Sequence, residues 1–574
     1  MKKWIYLFKR TGGNKLHDDE IIDIILENRG LVNKEEKKGF LEPELQDIDF
    51  KNLGIDYKEI EKAIGRIKKA ISQKESIIVY TDYDADGVCG GAIVWEALYS
   101  LGASVLPYIP DRVKEGYGLS KFGIESVKKK FNTDLIITVD HGITANDKVN
   151  YANKLGIETI ILDHHSKPKK VPRATAIIHT TQLSAGALSL VFVDHLLNKL
   201  KAKKEKYHYF KKNLDLAAIS TIADMIPLKG PNRIIVKHGL DRINNTSRIG
   251  LTALIGSTGL MQRNIGIYEV GHVLAPRINA MGRITHAIDA LRLLCTKDTN
   301  RAKCLADKLR DVNKQRQLLT DDIYNEAIKE VRELFISSNG KIDKLIFISS
   351  KTYNEGIIGL VAGKLVDAFY RPVVVVSVGE EYSKGSARSV VGFNIIETIR
   401  KSSYLLEDAG GHPMAAGFSI KTKNLKELKN RLINLTNKEL TDEYLTKTLT
   451  VDLELNIDEI SQILYRKITK LEPFGIGNPI PVFSSKNIKI ISTRKVGKDG
   501  KHLKLSLVQA DKGQIYNQIG RNDHIVDAIG FGMGDLYDKM LSNQIVDLAY
   551  TLNENIWNNR KILQLKLIDV KILT

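Results

Sequence analysis

The sequence predicts an α/β protein of two lobes, joined by a long helix and followed by an all-β barrel, and three observations predict it. From about residue 76 to 232, short β-branched runs alternate with longer helical patterns, the signature of βαβ units around a parallel sheet. After Arg292, apolar residues recur every three or four positions, at Ala302, Leu305, Leu309, Val312, Leu319, Ile323, Ala327, Val331 and Leu334, the period of a helix. From residue 450 to 574 short alternating strands dominate, as in a barrel.

Taken in order, residues 1–70 read as helices and loops packed against the first lobe. That lobe, 71–295, has strands at 77–80, 105–109, 135–139 and 159–162, with a helix over 88–101. Each strand run ends in acidic or His-bearing sequence, and in open α/β sheets ligands bind at the carboxyl ends of strands. The connecting helix, 296–335, would span roughly 50 Å at about 1.5 Å per residue. The second lobe, 336–425, has strands at 345–348 and 372–376 around a helix at 357–368. A charged helical segment at 424–440 leads to the barrel, 450–574, with strands at 503–508, 545–552 and 563–570.

The 574 residues include 86 Lys plus Arg against 68 Asp plus Glu, a formal charge of +18, and the pI is near 9.3. At ~150 residues per domain this length implies about four domains. With 43% hydrophobic and 27% charged residues, collagen-like and coiled-coil classes are excluded. Cys89, Cys295 and Cys304 form no CxxC pair, which argues against a zinc knuckle or a secreted disulfide framework. The start has only five apolar residues, Trp4 to Phe8, before Lys9 and Arg10, short of the ~7 to 15 of a signal peptide. No apolar run reaches the ~18 residues of a membrane helix, so a cytoplasmic protein without a membrane segment is expected. The positive excess favours a polyanionic partner, although any one lysine cluster, such as Lys167, Lys169 and Lys170, reads first as solvated surface.

Three motifs at strand ends carry the chemistry. Asp82-Tyr83-Asp84-Ala85-Asp86-Gly87 places three carboxylates on alternating positions, and like charges crowded into a partly buried turn need a cation. The run opens like an EF-hand loop, but its twelfth position is Ile93 instead of a bidentate Glu, and a strand precedes it. Asp140-His141-Gly142 and Asp163-His164-His165 follow two further strands, and Asp224 follows an apolar segment beginning at Leu214. Together they offer Asp and His donors for two divalent ions. Mixed carboxylate and imidazole ligation without thiolate suits Mn²⁺ or Mg²⁺, and two such ions suit phosphate-ester hydrolysis. There is no GxSxG elbow and no GK[ST] phosphate loop.

At this point the sequence resembles the DHH phosphoesterases, whose motif here is Asp163-His164-His165. The particular form is similar to the RecJ single-strand-specific DNA exonucleases, through Gly39-Phe40-Leu41-Glu42-Pro43, the DYDADG run, Pro110-Asp111-Arg112, Glu115-Gly116-Tyr117-Gly118, and Ala275-Pro276-Arg277-Ile278-Asn279-Ala280-Met281-Gly282-Arg283. It continues through Glu355-Gly356-Ile357-Ile358-Gly359, Gly385-Ser386-Ala387-Arg388-Ser389, Gly410-Gly411-His412 and Pro473-Phe474-Gly475-Ile476-Gly477-Asn478-Pro479.

The resemblance implies that Asp84, Asp86, Asp140, His164 and Asp224 bind two divalent ions, Mn²⁺ or Mg²⁺, with Asp82 in the same cluster. It implies that His165 contacts the scissile phosphate or a metal, and that Asp163 orients the histidines, a plain turn residue being the alternative. It makes the two lobes DHH and DHHA1 domains and the barrel an OB-fold. Arg277, Asn279, Arg283, Ser386, Arg388, Gly410, Gly411 and His412 would then bind substrate, with an internal salt bridge the alternative for the arginines beside the long helix. Phe474, Phe483 and Tyr516 are the aromatic candidates of the barrel, each fitting the core better than a stacking platform. The activity implied is 5′ to 3′ exonuclease action on single-stranded DNA, releasing 5′ mononucleotides in repair and recombination. A helicase and a single-strand-binding protein would be partners of a monomeric enzyme. An RNA-degrading enzyme of the superfamily and a non-catalytic single-strand-binding factor are the alternatives.

Overall fold

The computed structural model describes residues 2–10, 15–48, 51–112, 114–200, 203–261, 264–337, 343–510, 524–557 and 560–573. They form two compact units, residues 48–226 with 234–445, and residues 1–47 with 227–233 and 446–574.

The first unit contains both α/β lobes. Its first sheet has five parallel strands in the order Val105–Tyr108, Ile77–Thr81, Leu135–Val139, Glu158–Asp163, Ala176–His179. Ile77–Thr81 and Leu135–Val139 are buried along their whole length, because helices cover both faces of a parallel sheet. The helix Tyr57–Ser72 packs beside the edge strand, where Glu59 accepts the Ile177 backbone N–H at 2.9 Å.

The long helix runs over Thr299–Ser337, 39 residues or about 58 Å. It leads to a second sheet ordered Leu406–His412, Ala415–Lys421, Tyr382–Arg388, Val373–Ser377, Ile346–Ser350, in which only the last pair is parallel. This lobe extends beyond the expected boundary at residue 425. Leu428 and Leu432 of the helix Leu425–Glu439 are fully buried in its core with Phe347, Val374 and Ile395.

The second unit is a closed barrel. Phe483–Val496 pairs with His502–Gln509, which pairs with Val526–Gly530, then Arg560–Ile572, then Ile545–Trp557, which returns to the first strand. Alternate residues such as Leu503, Leu505 and Leu507 fill the interior. Here the structure corrects the sequence reading of residues 1–70. Residues 1–47 belong to the barrel's unit, not to the first lobe. Ile21, Ile25 and Leu26 of the helix Asp18–Asn28 share one core with Leu453, Leu464 and Phe483, and Lys3–Tyr6 lies parallel to Thr448–Val451. The apolar face of that helix has to be covered, and the barrel's flank covers it. Among the described residues no helix is long and apolar enough to cross a membrane.

Among the described residues of this unit Arg233 is the largest fully buried side chain. It donates to three backbone carbonyls, Phe40 at 2.8 Å, Pro473 at 3.3 Å and Glu472 at 2.7 Å, and lies 3.8 Å over the Phe40 ring. Burial lowers its pKa to about 10, so it stays charged at neutral pH. Arg233→Ala strands those carbonyls and is expected to destabilise the unit by about 3 kcal/mol, measured by denaturant unfolding followed with hydrogen exchange. Arg233→Lys should recover only part, since an ammonium cannot fork to three acceptors. A loss within error for the alanine variant would show that water replaces the guanidinium.

Candidate metal centre

Strand register brings the acids together. Thr81 pairs with Val139 and Val139 with Leu162, so the next residues, Asp82, Asp140 and Asp163, stand side by side at the carboxyl end of the sheet. Asp82, Asp86 and Asp140 are each 2% exposed. Asp84 caps the helix Ala85–Ser100, accepting the Asp86 N–H at 2.9 Å and the Gly87 N–H at 3.1 Å. Asp86 lies in that helix's first turn, where the dipole favours a carboxylate. It accepts the Ala185 and Gly186 backbone N–H groups at 2.9 Å each, and the Ser220 hydroxyl. Asp140 has φ +70°, a left-handed conformation Asp tolerates. Asp224 lies just past the helix Lys203–Ala223.

His164 joins these groups. Its Nε2 is 3.0 Å from Asp140 Oδ1, 3.5 Å from Asp86 Oδ2 and 3.7 Å from Asp224 Oδ2. Three sets of donor atoms could hold an ion, each within 4.8 Å of one another: Asp82 with Asp84 and Asp140; Asp86 with His164 and Asp224; Asp140 with His164 and His165. Burial, then the charge of Asp84, pushes Asp82 well above the usual carboxylate range, and burial with Asp86, Asp84 and Asp82 does the same to Asp140. Asp84 is raised by burial and Asp86, and Asp224 to about 8 by burial, Asp86 and Asp84. Asp82 Oδ1 is buried without a hydrogen-bond partner. A divalent cation fits this donor set, since it would supply both the missing partner and the missing charge.

Asp163, the last residue of the strand Glu158–Asp163, is a brace and not a plain turn residue. Its Oδ2 accepts the Ile143 N–H at 2.8 Å, and its Oδ1 takes the His165 N–H at 3.1 Å and Nδ1 at 2.8 Å. Although burial opposes each charge, this pairing lowers Asp163 to about 2 and raises His165 to about 9. The other ring nitrogen of His165 lies 3.3 Å from the Tyr117 hydroxyl, which also reaches the Asp140 carbonyl at 3.1 Å.

The second lobe brings His412, whose ring stacks with that of His165 at 6.4 Å and 20°. Gly410 and Gly411 precede it on the same hairpin strand, and register places His412, Ala415 and Arg388 in one row, and Gly410, Gly417 and Ser386 in another. Arg388 donates to Ser386 Oγ at 3.3 Å and to the Ala387 carbonyl at 2.8 Å. Arg283 donates to the Gly356 carbonyl at 3.1 Å, and burial with the charge of Arg112 lowers its pKa to about 10. Gly282 allows the helix Ala275–Ile284 its place, because a Cβ would meet the Tyr83 carbonyl oxygen at 2.6 Å.

Two of the expected substrate contacts are tied up in the fold. Asn279 Oδ1 accepts the Ala85 N–H at 2.6 Å, so that oxygen anchors the acidic helix, and Arg277 donates to the Val273 carbonyl at 2.6 Å. Sequence reasoning missed Ser220, Tyr117 and the Ala185 and Gly186 amides. Tyr117 lies in a motif already singled out, and Ser220 stands one helical turn before Asp224; the two amides carry no side-chain signal.

A parallel sheet with carboxylates and imidazoles at its strand ends, met by a second lobe carrying a Gly-Gly-His hairpin, defines the DHH class of two-lobed proteins. Residues 76–221 match the DHH family N-terminal domain, 343–438 the DHHA1 domain and 451–569 the RecJ OB domain. The single-stranded-DNA-specific exonuclease RecJ of Bacillus subtilis is 35% identical over 569 residues, 97% of this chain and 69% of the relative. That of Thermus thermophilus is 31% identical over 533 residues, 92% of this chain and 73% of the relative. The crystal structure of the Thermus thermophilus protein with Mn²⁺ aligns with a TM-score of 0.78 at 27% identity, covering all of this chain and 80% of that one, and the Mg²⁺ complex with 0.73 at 26%, covering all of this chain and 79% of that one. The chain belongs to the RecJ family.

Mn²⁺ at ~100 times its Kd is expected to stabilise the catalytic lobe by about 2.7 kcal/mol, read as a rise in Tm. Asp140→Asn should lose most of that rise, yet melt above the parent in chelator because a buried acid disfavoured by burial and its acidic neighbours is gone. A parent whose Tm ignores Mn²⁺ would show that the cluster takes no ion.

Proposed function

We propose that this chain is a single-stranded-DNA exonuclease that hydrolyses phosphodiester bonds with two divalent ions, Mn²⁺ or Mg²⁺. The observation that carries the reading is that Asp82, Asp84 and Asp140 form one set of donor atoms and Asp86, His164 and Asp224 another, joined by the contact of His164 with Asp140, in a chain aligned along its length with RecJ exonucleases. Ions held there would acidify a bound water and neutralise charge building on the leaving oxygen. The protein's own residues do the rest. Asp86, fixed by two amides and a hydroxyl, holds its ligand geometry. His165, clamped by Asp163 and facing His412, aims its ring at the scissile phosphate. Arg283, Ser386 and Arg388, with the Gly410 and Gly411 backbone, hold neighbouring phosphates.

Digestion from 5′ to 3′ with release of 5′ mononucleotides, a role in repair and recombination, a cytoplasmic monomer, and a helicase and a single-strand-binding protein as partners complete the proposal, on kinship alone.

Asp140→Ala should lower hydrolysis by about 10³-fold or more while single-strand binding persists, because the basic residues lie elsewhere. The assay uses an oligonucleotide labelled at either end, with Mn²⁺, Mg²⁺ or chelator, beside a duplex and an RNA of the same sequence. Metal-dependent loss of mononucleotides from the 5′ end of single-stranded DNA alone is the expected result. Preference for RNA would move the protein to an RNA-degrading role, and binding without cleavage to a scaffold.

A further inference from the structure

Of the barrel's aromatic candidates, Phe483 is fully buried and Phe474 packs against the same core, while Tyr516 lies outside the described residues. A different ring is presented instead. Phe531, 55% exposed, follows the strand Val526–Gly530, and its loop is fastened down. The Gly532 N–H donates to His502 Nδ1 at 3.1 Å, the Met533 N–H to the Gly530 carbonyl at 3.3 Å, and the Gly534 N–H to the Lys501 carbonyl at 3.1 Å. Gly534 must be glycine, since a Cβ there would lie 2.2 Å from the Gly500 carbonyl oxygen. The His502 ring meets Phe531 edge-on at 5.2 Å and 70°, and Lys566 Nζ stands 5.7 Å from the ring centroid.

Cations continue from this ring across the barrel wall. Register places Arg494 beside Lys504, Lys504 beside Ile529, and Ile529 beside Lys566. Leu503, Leu505, Leu565 and Leu567 are buried, so the alternation turns Lys504 and Lys566 outward. Lys504 is held at 2.9 Å by Asp527, which fixes its place in the row.

We propose that Phe531, edged by His502 and Lys566, is a base-stacking platform for single-stranded nucleic acid, with the Arg494, Lys504 and Lys566 row binding the backbone beside it. This rests on the reading of the chain as a single-strand nuclease and adds the place where the barrel grips the strand. An exposed aromatic ring gains contact area when a base covers it, and the row supplies the phosphate neutralisation that stacking alone lacks. Because hydrogen bonds already order the loop, little conformational entropy is lost on binding.

The test is anisotropy of a labelled 20-residue oligothymidylate with the full chain in chelator, where no cleavage occurs. Phe531→Ala should weaken binding at least about fivefold. Phe531→Trp should stay close to the parent, and so should Leu541→Ala, at a still more exposed apolar residue of the same unit. Parental binding by Phe531→Ala, or an equal loss in Leu541→Ala, would overturn the platform. If the parent digests and binds single strands while Phe531→Ala is unaffected, only the platform fails. A parent that binds no single strand overturns the platform and the functional reading together.

Discussion

Repulsion between carboxylates crowded at one end of a parallel sheet is the constraint on which the catalytic lobe depends. Asp82 and Asp140 are buried within ångströms of each other and of Asp84, where effective dielectric is low and like charges raise one another's proton affinity. Protonated acids are poor ligands, so binding a cation and losing protons are one coupled event. The fold prepares for it. At Asp84 the Asp86 and Gly87 amides favour the charged form that burial disfavours, and two amides and a hydroxyl hold the Asp86 side chain in place.

The second requirement is a fixed imidazole. Asp163 spends one oxygen on the Ile143 backbone and the other on His165, so turn geometry and ring orientation are set by one side chain. His165 is then poised between Tyr117 of its own lobe and His412 of the second. The helix Ala275–Ile284 ties the lobes together, through Asn279 on Ala85 and Arg283 on Gly356. Residues that the motif suggested for substrate therefore also set the distance between the acidic cluster and the hairpin, and a change at Asn279 would move ligands it does not touch.

Most of this site was legible in the sequence because its donors sit in short runs directly after strands whose apolar character is unmistakable. Asp82, Asp140 and Asp163 follow such runs, and parallel register needs only those ends to be level. Less legible were elements without an apolar signature. The strand Leu406–His412 is exposed along most of its length, so neither alternation nor hydrophobicity marks it, and only its glycines did. The backbone amides of Ala185 and Gly186 could not be found from side chains at all. Phe531 carries no such signal because it follows a short strand among glycines, whereas Phe483, which reads as core in the sequence, begins a long strand whose inward positions form that core.

The N-terminal segment was misplaced for a topological reason. Arg29 sits 3% exposed against Asp452, itself 4% exposed, and reaches the Pro479 carbonyl at 3.0 Å, 450 positions along the chain. Glu459 likewise gathers Arg10 at 2.7 Å and the Leu16 N–H at 2.7 Å. No local pattern announces contacts this distant, yet the entropy of closing so long a loop grows only logarithmically, so a shared core can sustain it. The barrel's unit is consequently made from both chain ends, and it forms only once the last strands exist, whereas residues 48–226 and 234–445 can bury their own cores earlier. It follows that residues 450–574 are not a detachable module. Removing them would expose Ile21, Ile25 and Phe40 and leave Arg29 without its carboxylate, so any loss of strand binding would mix the missing barrel with a collapsed N-terminus. Single side chains on the barrel's outer wall separate those effects, and a truncation does not.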